Sequence, residues 1–450
     1  MRAPELLLPA GTLEKMRAAY AFGADAVYAG QPRYSLRARN NEFRLEELQT
    51  GITEAHALGK KLFVASNLMP HNAKVKTYMA DMAPVIAMRP DALIMADPGL
   101  IAMVRERWPE QEIHLSVQAN TVNYAAVKFW QSLGLSRVIL SRELSLDEIE
   151  EIRQQCPDIE LEVFIHGALC IAYSGRCLLS GYFNHRDANQ GTCTNSCRWD
   201  YKVDAAEEDG SGDVHKIDFD FDKALSQSAL SDCGNQPRHP LADRVYLISR
   251  QDHPNELMPV MEDEHGTYIM NSKDLRAVEH IERLVKIGVD SLKVEGRTKS
   301  LYYVARTAQV YRKAIDDAVA QRSFDFSLLG ALDALANRGY TDGFYERHHT
   351  HEQQNYLRGH SESTRQQYVG DIVACTDGVA EIAVKNRFQI GDRLEIIHPS
   401  GNRIVELAEM RGLENEALTV APGSGHHVRI PLQGDYTKGM VARFLQSGQP

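Results

Sequence analysis

Gly23-Ala-Asp-Ala-Val-Tyr28 reads as one phrase, in which a glycine ends a helix, a short connection follows, and β-branched and aromatic residues begin a strand. The phrase returns as Arg89-Pro-Asp-Ala-Leu-Ile94, Gly134-Leu-Ser-Arg-Val-Ile139 and Gly288-Val-Asp-Ser-Leu-Lys293. Outward from these, short apolar runs predict strands at Glu5 to Leu8, Ala26 to Tyr28, Lys61 to Ser66, Ala92 to Met95, Ile113 to Val117, Arg137 to Leu140, Glu160 to Ile165 and Ser291 to Val294. Helical periodicity lies between them at Leu13 to Phe22, Glu46 to Leu58, Asn123 to Leu133 and Leu146 to Gln155. Such units predict an α/β fold, a parallel (β/α)8 barrel of the TIM type. An open doubly wound sheet is the alternative, but no G-x-G-x-x-G follows the first strand, only Pro9-Ala-Gly-Thr12.

In such a barrel the chemistry gathers where the strands end. Those ends read Pro9-Ala10, Gly30-Gln31, Asn67, Asp97-Pro98, Gln118-Ala-Asn120, Arg142-Glu143, His166-Gly167 and Glu295-Gly-Arg297. Any one of these residues serves equally well as a helix cap or a hydrogen-bonded rim residue. Together they form a ring of amides, carboxylates and guanidinium groups, which points to an active site.

Cys170, Cys177, Cys193 and Cys197 follow the seventh strand with the spacing C-x6-C-x15-C-x3-C. Four clustered thiolates suit an iron-sulfur cluster or a zinc staple, and the absence of a C-x2-C knuckle favours iron-sulfur. Cys233 lies in the same insertion and is an alternative ligand. Cys156 and Cys375 read as small half-buried or buried side chains. Seven cysteines in all, with no apolar N-terminal run, predict a cytoplasmic chain without a disulfide framework.

The chain has 450 residues, 43% of them apolar and 25% charged, and carries a net charge of -11. No stretch approaches the length of apolar residues needed to span a membrane. From Tyr201 to His265 there are 15 acidic against 6 basic residues, a balance of -9, leaving -2 on the rest. The acidic total is therefore local and does not exclude an RNA partner.

Three pieces are attached to the barrel. The loop Gln31 to Phe43 interleaves Arg33, Arg37 and Arg39 with Tyr34 and Phe43, a composition that suits phosphates and unpaired bases and equally a solvated or core-capping loop. The insertion from Cys170 to about Ser272 carries the cysteines, and its middle, Ala205 to Asp213, reads as a mobile surface excursion. After the barrel (1–330) and a linker (331–367, rich in Gly, His, Ser and Gln from Gly339) the period falls to two. Strands are predicted at Tyr368 to Ala374, Ala380 to Val384, Asp392 to Ile397, Asn402 to Met410, Ala417 to Ala421, His427 to Ile430 and Met440 to Phe444, a small antiparallel barrel over 368–450.

The stretch Glu162-Val-Phe164-Ile-His166-Gly-Ala-Leu-Cys170-Ile-Ala-Tyr-Ser-Gly175-Arg-Cys177-Leu-Leu-Ser180 resembles the signature of the collagenase-like peptidase family of unassigned catalytic type, E-x-F-x2-G-[SA]-x-C-x4-G-x-C-x-x-S. The likeness continues through Pro4-Glu-Leu-Leu-Leu-Pro-Ala-Gly11, Asp187-Ala-Asn-Gln-Gly-Thr-Cys193, Cys197-Arg-Trp199, Glu262-Asp-Glu-His-Gly266, Asn271-Ser-Lys-Asp-Leu275 and Lys293-Val-Glu-Gly-Arg297. Within the family the chain most resembles the bacterial branch that acts on tRNA.

That resemblance implies hydroxylation of the wobble uridine to 5-hydroxyuridine, dependent on prephenate in place of molecular oxygen. It also implies a 4Fe-4S cluster on Cys170, Cys177, Cys193 and Cys197, with Cys233 the alternative to the last. A dicarboxylate such as prephenate needs cations, and Arg142, Lys293 and Arg297 are expected to supply them, with Gln118 and Asn67 as further substrate contacts. His166, Glu143 and Glu295 are the expected proton carriers. Tyr34, Arg37 and Arg39 are expected to hold the tRNA anticodon loop. Peptidase chemistry finds little support, because the chain has no H-E-x-x-H or G-x-S-x-G and ligated sulfur is a poor nucleophile. A noncatalytic iron-sulfur scaffold is the third role, and an accessory protein or a homo-oligomer is compatible with each of them.

Overall fold

The computed structural model describes residues 2–31, 33–35, 43–68, 70–168, 172–173, 176–177, 201–208, 214–216, 245–250, 253–263, 266–269, 274–297, 299–335, 337, 339–346 and 366–445. Its first half alternates β1 (Glu5–Pro9), α1 (Leu13–Ala21), β2 (Ala26–Gly30), α2 (Leu45–Ala57), β3 (Lys61–Ser66), α3 (Asn72–Ala87), β4 (Ala92–Met95), α4 (Pro98–Arg107), β5 (Ile113–Leu115), α5 (Tyr124–Ser132), β6 (Arg137–Ile139), α6 (Leu146–Gln155) and β7 (Glu160–Ala168). Helix starts are set by local chemistry. Thr12, Asp97, Asn123 and Ser145 each accept a hydrogen bond from the backbone N–H three residues on, satisfying a donor the helix leaves open. The phrase that introduces the strands has a conformational cause: Gly23, Gly134 and Gly288 take positive φ. Arg89, which fills the glycine's place in the second copy, adopts the same left-handed turn at φ 59°.

The insertion brings β8 (Ala172–Tyr173) and β9 (Arg176–Cys177), then β10 (Tyr201–Glu208), β11 (Val214–Lys216), β12 (Val245–Arg250), β13 (His253–Asp263) and β14 (Gly266–Ile269). The last five form an antiparallel sheet of order β11-β10-β12-β13-β14, with Ala206 and Leu247 buried. This corrects the expected surface excursion for Ala205 to Glu208, which belong to a paired strand, while 209–213 lie outside the described residues. The acidic side chains masked a period-two pattern that buries only small and few apolar groups.

β15 (Asp274–Arg276) pairs antiparallel with the upper end of β7, and α7 (Ile281–Ile287) leads into β16 (Ser291–Val294). β16 pairs in parallel with both β1 and β7, so the eight predicted strands close into the barrel. α8 (Leu301–Val319) and α9 (Ser327–Asp333) follow, and β17 (Tyr340–Thr341) pairs with β15, so the expected linker is in part regular structure. Val117 was expected in the fifth strand, but it begins a 3-10 turn, Val117–Ala119, capped by the Ser116 hydroxyl.

The remaining strands are β18 (Gln366–Thr376), β19 (Val379–Val384), β20 (Phe388–Gln389), β21 (Arg393–Ile397), β22 (Arg403–Glu406), β23 (Val420–Ala421), β24 (His427–Pro431) and β25 (Met440–Phe444). Six form an antiparallel half-barrel of order β22-β21-β25-β18-β19-β24 around a core that includes Ile372, Phe388, Leu394 and Val428, and β20 pairs with β23. This unit docks on α8. Arg306 makes a two-pronged ion pair with Glu395 at 3.0 and 2.8 Å, Gln366 and Asn402 also donate to Glu395, and the Tyr302 and Tyr368 rings stack at 5.3 Å. Ile397, Met440 and Ala442 join the core cluster of the (β/α)8 barrel.

Candidate active site at the barrel rim

The lower barrel interior is a charged layer. Arg137, 2% exposed, donates to Glu5 at 2.6 Å, Glu160 at 2.9 Å and Glu162 at 3.0 Å. Lys61 joins Glu5 at 3.1 Å, and Lys293 Nζ donates to Glu162 Oε1 at 2.8 Å. Three carboxylates thus meet three cations. Burial opposes the Arg137 charge, but the surrounding Glu5 and Glu162 outweigh it and hold the guanidinium protonated. Burial also lowers the Lys293 pKa, against the pull of Glu162. Lys293 was expected as a rim cation for a dicarboxylate; alternation along β16 points it inward instead, where Glu162 takes its charge.

Above this layer stand Tyr28 and Phe164. Lys293 Nζ lies 4.5 Å from the Tyr28 ring centre, and the Tyr28 hydroxyl donates to the Val294 carbonyl at 3.1 Å. The Arg142 guanidinium lies 3.7 Å over the Phe164 ring, while its Nη2 donates to Glu295 Oε2 at 2.9 Å. The ends of β6 and β16 are therefore bridged across β7 by a partly buried ion pair with an aromatic floor. Arg297 is buried with its guanidinium 5.9 Å from the Tyr28 ring. At the next edge Asn67 Nδ2 donates to the Ser116 hydroxyl at 3.3 Å, and that hydroxyl also receives the Gln118 backbone N–H, so Ser116 joins the two expected amides. Glu143 accepts from the Ser141 hydroxyl, and burial pushes its carboxyl above the usual range, so it keeps its proton nearer neutrality.

The signature acquires physical content here. Glu162 balances Arg137 and Lys293, and Phe164 is the floor under Arg142. At Gly167, φ 103°, a Cβ would lie 2.5 Å from the Glu295 carbonyl oxygen, which no side chain tolerates.

Two expected site residues lie elsewhere. His166 is 1% exposed and faces the helix layer, with Nδ1 3.1 Å from the Tyr311 hydroxyl and its ring 5.6 Å from Tyr303 and 5.4 Å from Tyr340. Burial lowers its pKa to about 3, so it is neutral there. Being the residue before Gly167, it was read as rim, but the register irregularity between Lys293 and Val294 turns it outward. Tyr34 is fully buried, its hydroxyl donating to Asp81 at 2.5 Å and its ring edge-on to Tyr78 at 4.8 Å, so it is core against α3 and not a stacking platform. Arg37, Arg39, Cys170, Cys193, Cys197 and Cys233 lie outside the described residues, as does the Cys177 side chain, whose backbone is paired in β9 opposite Ala172. Cys156 and Cys375 are free thiols.

Residue-level reading of the sequence missed Tyr28, Phe164 and Ser116, although counting inward positions from each strand phrase places Tyr28 inside. It also missed Lys74 and Lys76 near the start of α3, beside the loop after β2. That helix has no acidic residue in its first turn, and neither lysine forms an ion pair among the described residues. No helix of the described residues is long and apolar enough to cross a membrane.

The family model for peptidase family U32 matches residues 11–355, and that for the peptidase family U32 C-terminal domain matches residues 364–443. The chain is 60% identical over 438 residues to tRNA hydroxylation protein P of Escherichia coli, covering 97% of this chain and 95% of that protein. It is 58% identical to tRNA hydroxylation protein P of Haemophilus influenzae, covering 96% and 94%. It is also 36% identical to tRNA hydroxylation protein P1 of Bacillus subtilis, covering 88% and 84%.

Proposed function

The chain belongs to peptidase family U32, and from that premise we propose that it hydroxylates tRNA, forming 5-hydroxyuridine at the wobble uridine in a prephenate-dependent reaction. The observation that carries this is the near-full-length likeness to proteins named for tRNA hydroxylation. The rim supports it, with an arginine over an aromatic floor paired to Glu295, and with the buried Glu143 carboxyl, whose pKa burial raises.

Cys170, Cys177, Cys193 and Cys197, with Cys233 as the alternative to the last, are the donors for a 4Fe-4S cluster, and an all-thiolate set suits that group. When bound, the cluster supplies one-electron redox chemistry. Arg142 binds a carboxylate of the dicarboxylate co-substrate in exchange for Glu295, and Arg297 takes the other charge. Glu143 and Glu295 are the rim carboxyl groups placed to move a proton. The charged layer of Arg137, Glu162 and Lys293 keeps the floor rigid. A wobble base is already unpaired, so reaching the rim costs unstacking but no duplex opening. Arg37 and Arg39 together with Lys74 and Lys76 are the cations for the anticodon-arm phosphates.

Peptidase chemistry gains nothing from the described residues. His166 is buried beside tyrosines, and the Cys156 thiol is spent on the Tyr124 carbonyl at 3.6 Å, so these two do not form a nucleophile and base pair.

The test is nucleoside mass spectrometry of tRNA from cells lacking this protein. Wobble 5-hydroxyuridine should fall, and the native chain should restore it only in cells able to make prephenate. Unchanged 5-hydroxyuridine in the deletion would overturn the proposal.

A further inference from the structure

We propose that His280, Asp342 and Glu346 form a site for a divalent first-row transition ion, built without cysteine. β15 and β17 pair in parallel, Asp274 with Tyr340 and Leu275 with Thr341, so the segments leaving both strands run out on the same side. One reaches His280 at the end of the 3-10 turn Val278–His280, and the other reaches Asp342 and Glu346. His280 Nε2 stands 3.8 Å from the Asp342 carboxylate, and the other ring nitrogen, Nδ1, stands 3.8 Å from the Glu346 carboxylate. One ligand atom from each of the three residues lies within 4.8 Å of the others.

These separations exceed a hydrogen bond, so the three groups face one another without bonding. Ligands around a first-row ion at about 2.0–2.2 Å stand roughly 3–3.5 Å apart, so closure brings one carboxylate round to the ring nitrogen that holds the ion, a rotation for which the half-exposed Glu346 side chain has room. The frame around the site is fixed. The Tyr345 ring meets His280 edge-on at 5.9 Å, the Tyr345 hydroxyl donates to the Phe164 carbonyl at 2.5 Å, and the Leu146 N–H donates to the Tyr345 carbonyl. Exposure rises from 14% at His280 to 23% at Asp342 and 50% at Glu346, which leaves an open side for entry and for water ligands. One imidazole with two carboxylates and no thiolate favours Mn2+, Fe2+ or Zn2+ over Ca2+ or Mg2+.

Mn2+ is the probe, titrated into the full-length protein with its cysteine-bound iron left in place and followed by the electron paramagnetic resonance of the free ion. The native chain should take up about one Mn2+ that Zn2+ displaces, and His280→Gln and Asp342→Asn should each bind it about tenfold or more weakly. Mn2+ should also raise the melting temperature of the native chain and not that of the isosteric Asp342→Asn. The sequence has further histidines at 348, 349 and 351 that bind ions without a built site, so the comparison is between native and site variants. Unchanged Mn2+ uptake in either variant would overturn the proposal.

Discussion

The Tyr311 hydroxyl donates to the Ile165 carbonyl at 2.8 Å and accepts from His166 Nδ1 at 3.1 Å. The chain of donors fixes the His166 tautomer: Nδ1 carries the proton and Nε2 is bare. A strand residue four positions before the first cysteine is thereby anchored to α8.

Tyr311→Phe removes a donor and an acceptor in one step: it leaves His166 Nδ1 without its Tyr311 partner in a buried layer, and the Ile165 carbonyl keeps only the Ala277 N–H at 2.9 Å. A loss of about 2 kcal/mol or more is expected, read by urea unfolding at neutral pH. A variant as stable as the native chain would show that this relay does not hold β7 to α8.

His166 also sets an acid limb. Its pKa is near 6.5 unfolded and about 3 folded, so the unfolded chain binds the proton first and stability falls as pH drops below 6.5. Between pH 6.5 and 5 the contribution is about 2 kcal/mol, at 1.36 kcal/mol per unit. His166→Gln should flatten that part of the stability profile; an unchanged slope would mean the ring is accessible to solvent.

The joint between barrel and half-barrel turns on Arg306. Arg306→Ala leaves Glu395 buried with only amide donors and should cost about 3–5 kcal/mol, whereas Arg306→Met with Glu395→Leu should recover most of it. Calorimetry of the three chains decides this, and an additive double variant would contradict it.

Arg142 and Lys293 should separate by phenotype. Arg142→Ala should raise the prephenate concentration for half-maximal modification about tenfold or more, in keeping with one charge-assisted bond, with little change in melting. Lys293→Met should instead lower stability by about 3 kcal/mol, because Glu162 loses a partner in the interior. The opposite assignment of the two effects would overturn the placement of the site.

The barrel was legible because its signal is local: β2, β4, β6 and β16 are each announced by a helix-ending residue in a left-handed turn, whether glycine or Arg89. The positions of Arg142, Glu143 and Glu295 at the rim were legible because they stand just past apolar runs. What failed was facing. Lys293 looked like rim from its place beside Glu295, but inward alternation gave it to Glu162, and His166 was turned away by a register irregularity seen only when β7 and β16 are paired. Tyr34 read as a stacking residue because composition carries no depth, and its burial comes from α3, forty residues on. The insertion sheet escaped notice because its core is as small as Ala206 and Leu247 packed by Leu257.

The most direct measurement mixes the anaerobically purified chain, after reconstitution with iron and sulfide, with unmodified tRNA and prephenate, and follows 5-hydroxyuridine by mass spectrometry. The proposed function predicts product at the wobble uridine with the native chain, none when prephenate is omitted, and none with Cys170→Ala. Product formed without prephenate, or no product from a fully loaded native chain, would contradict it.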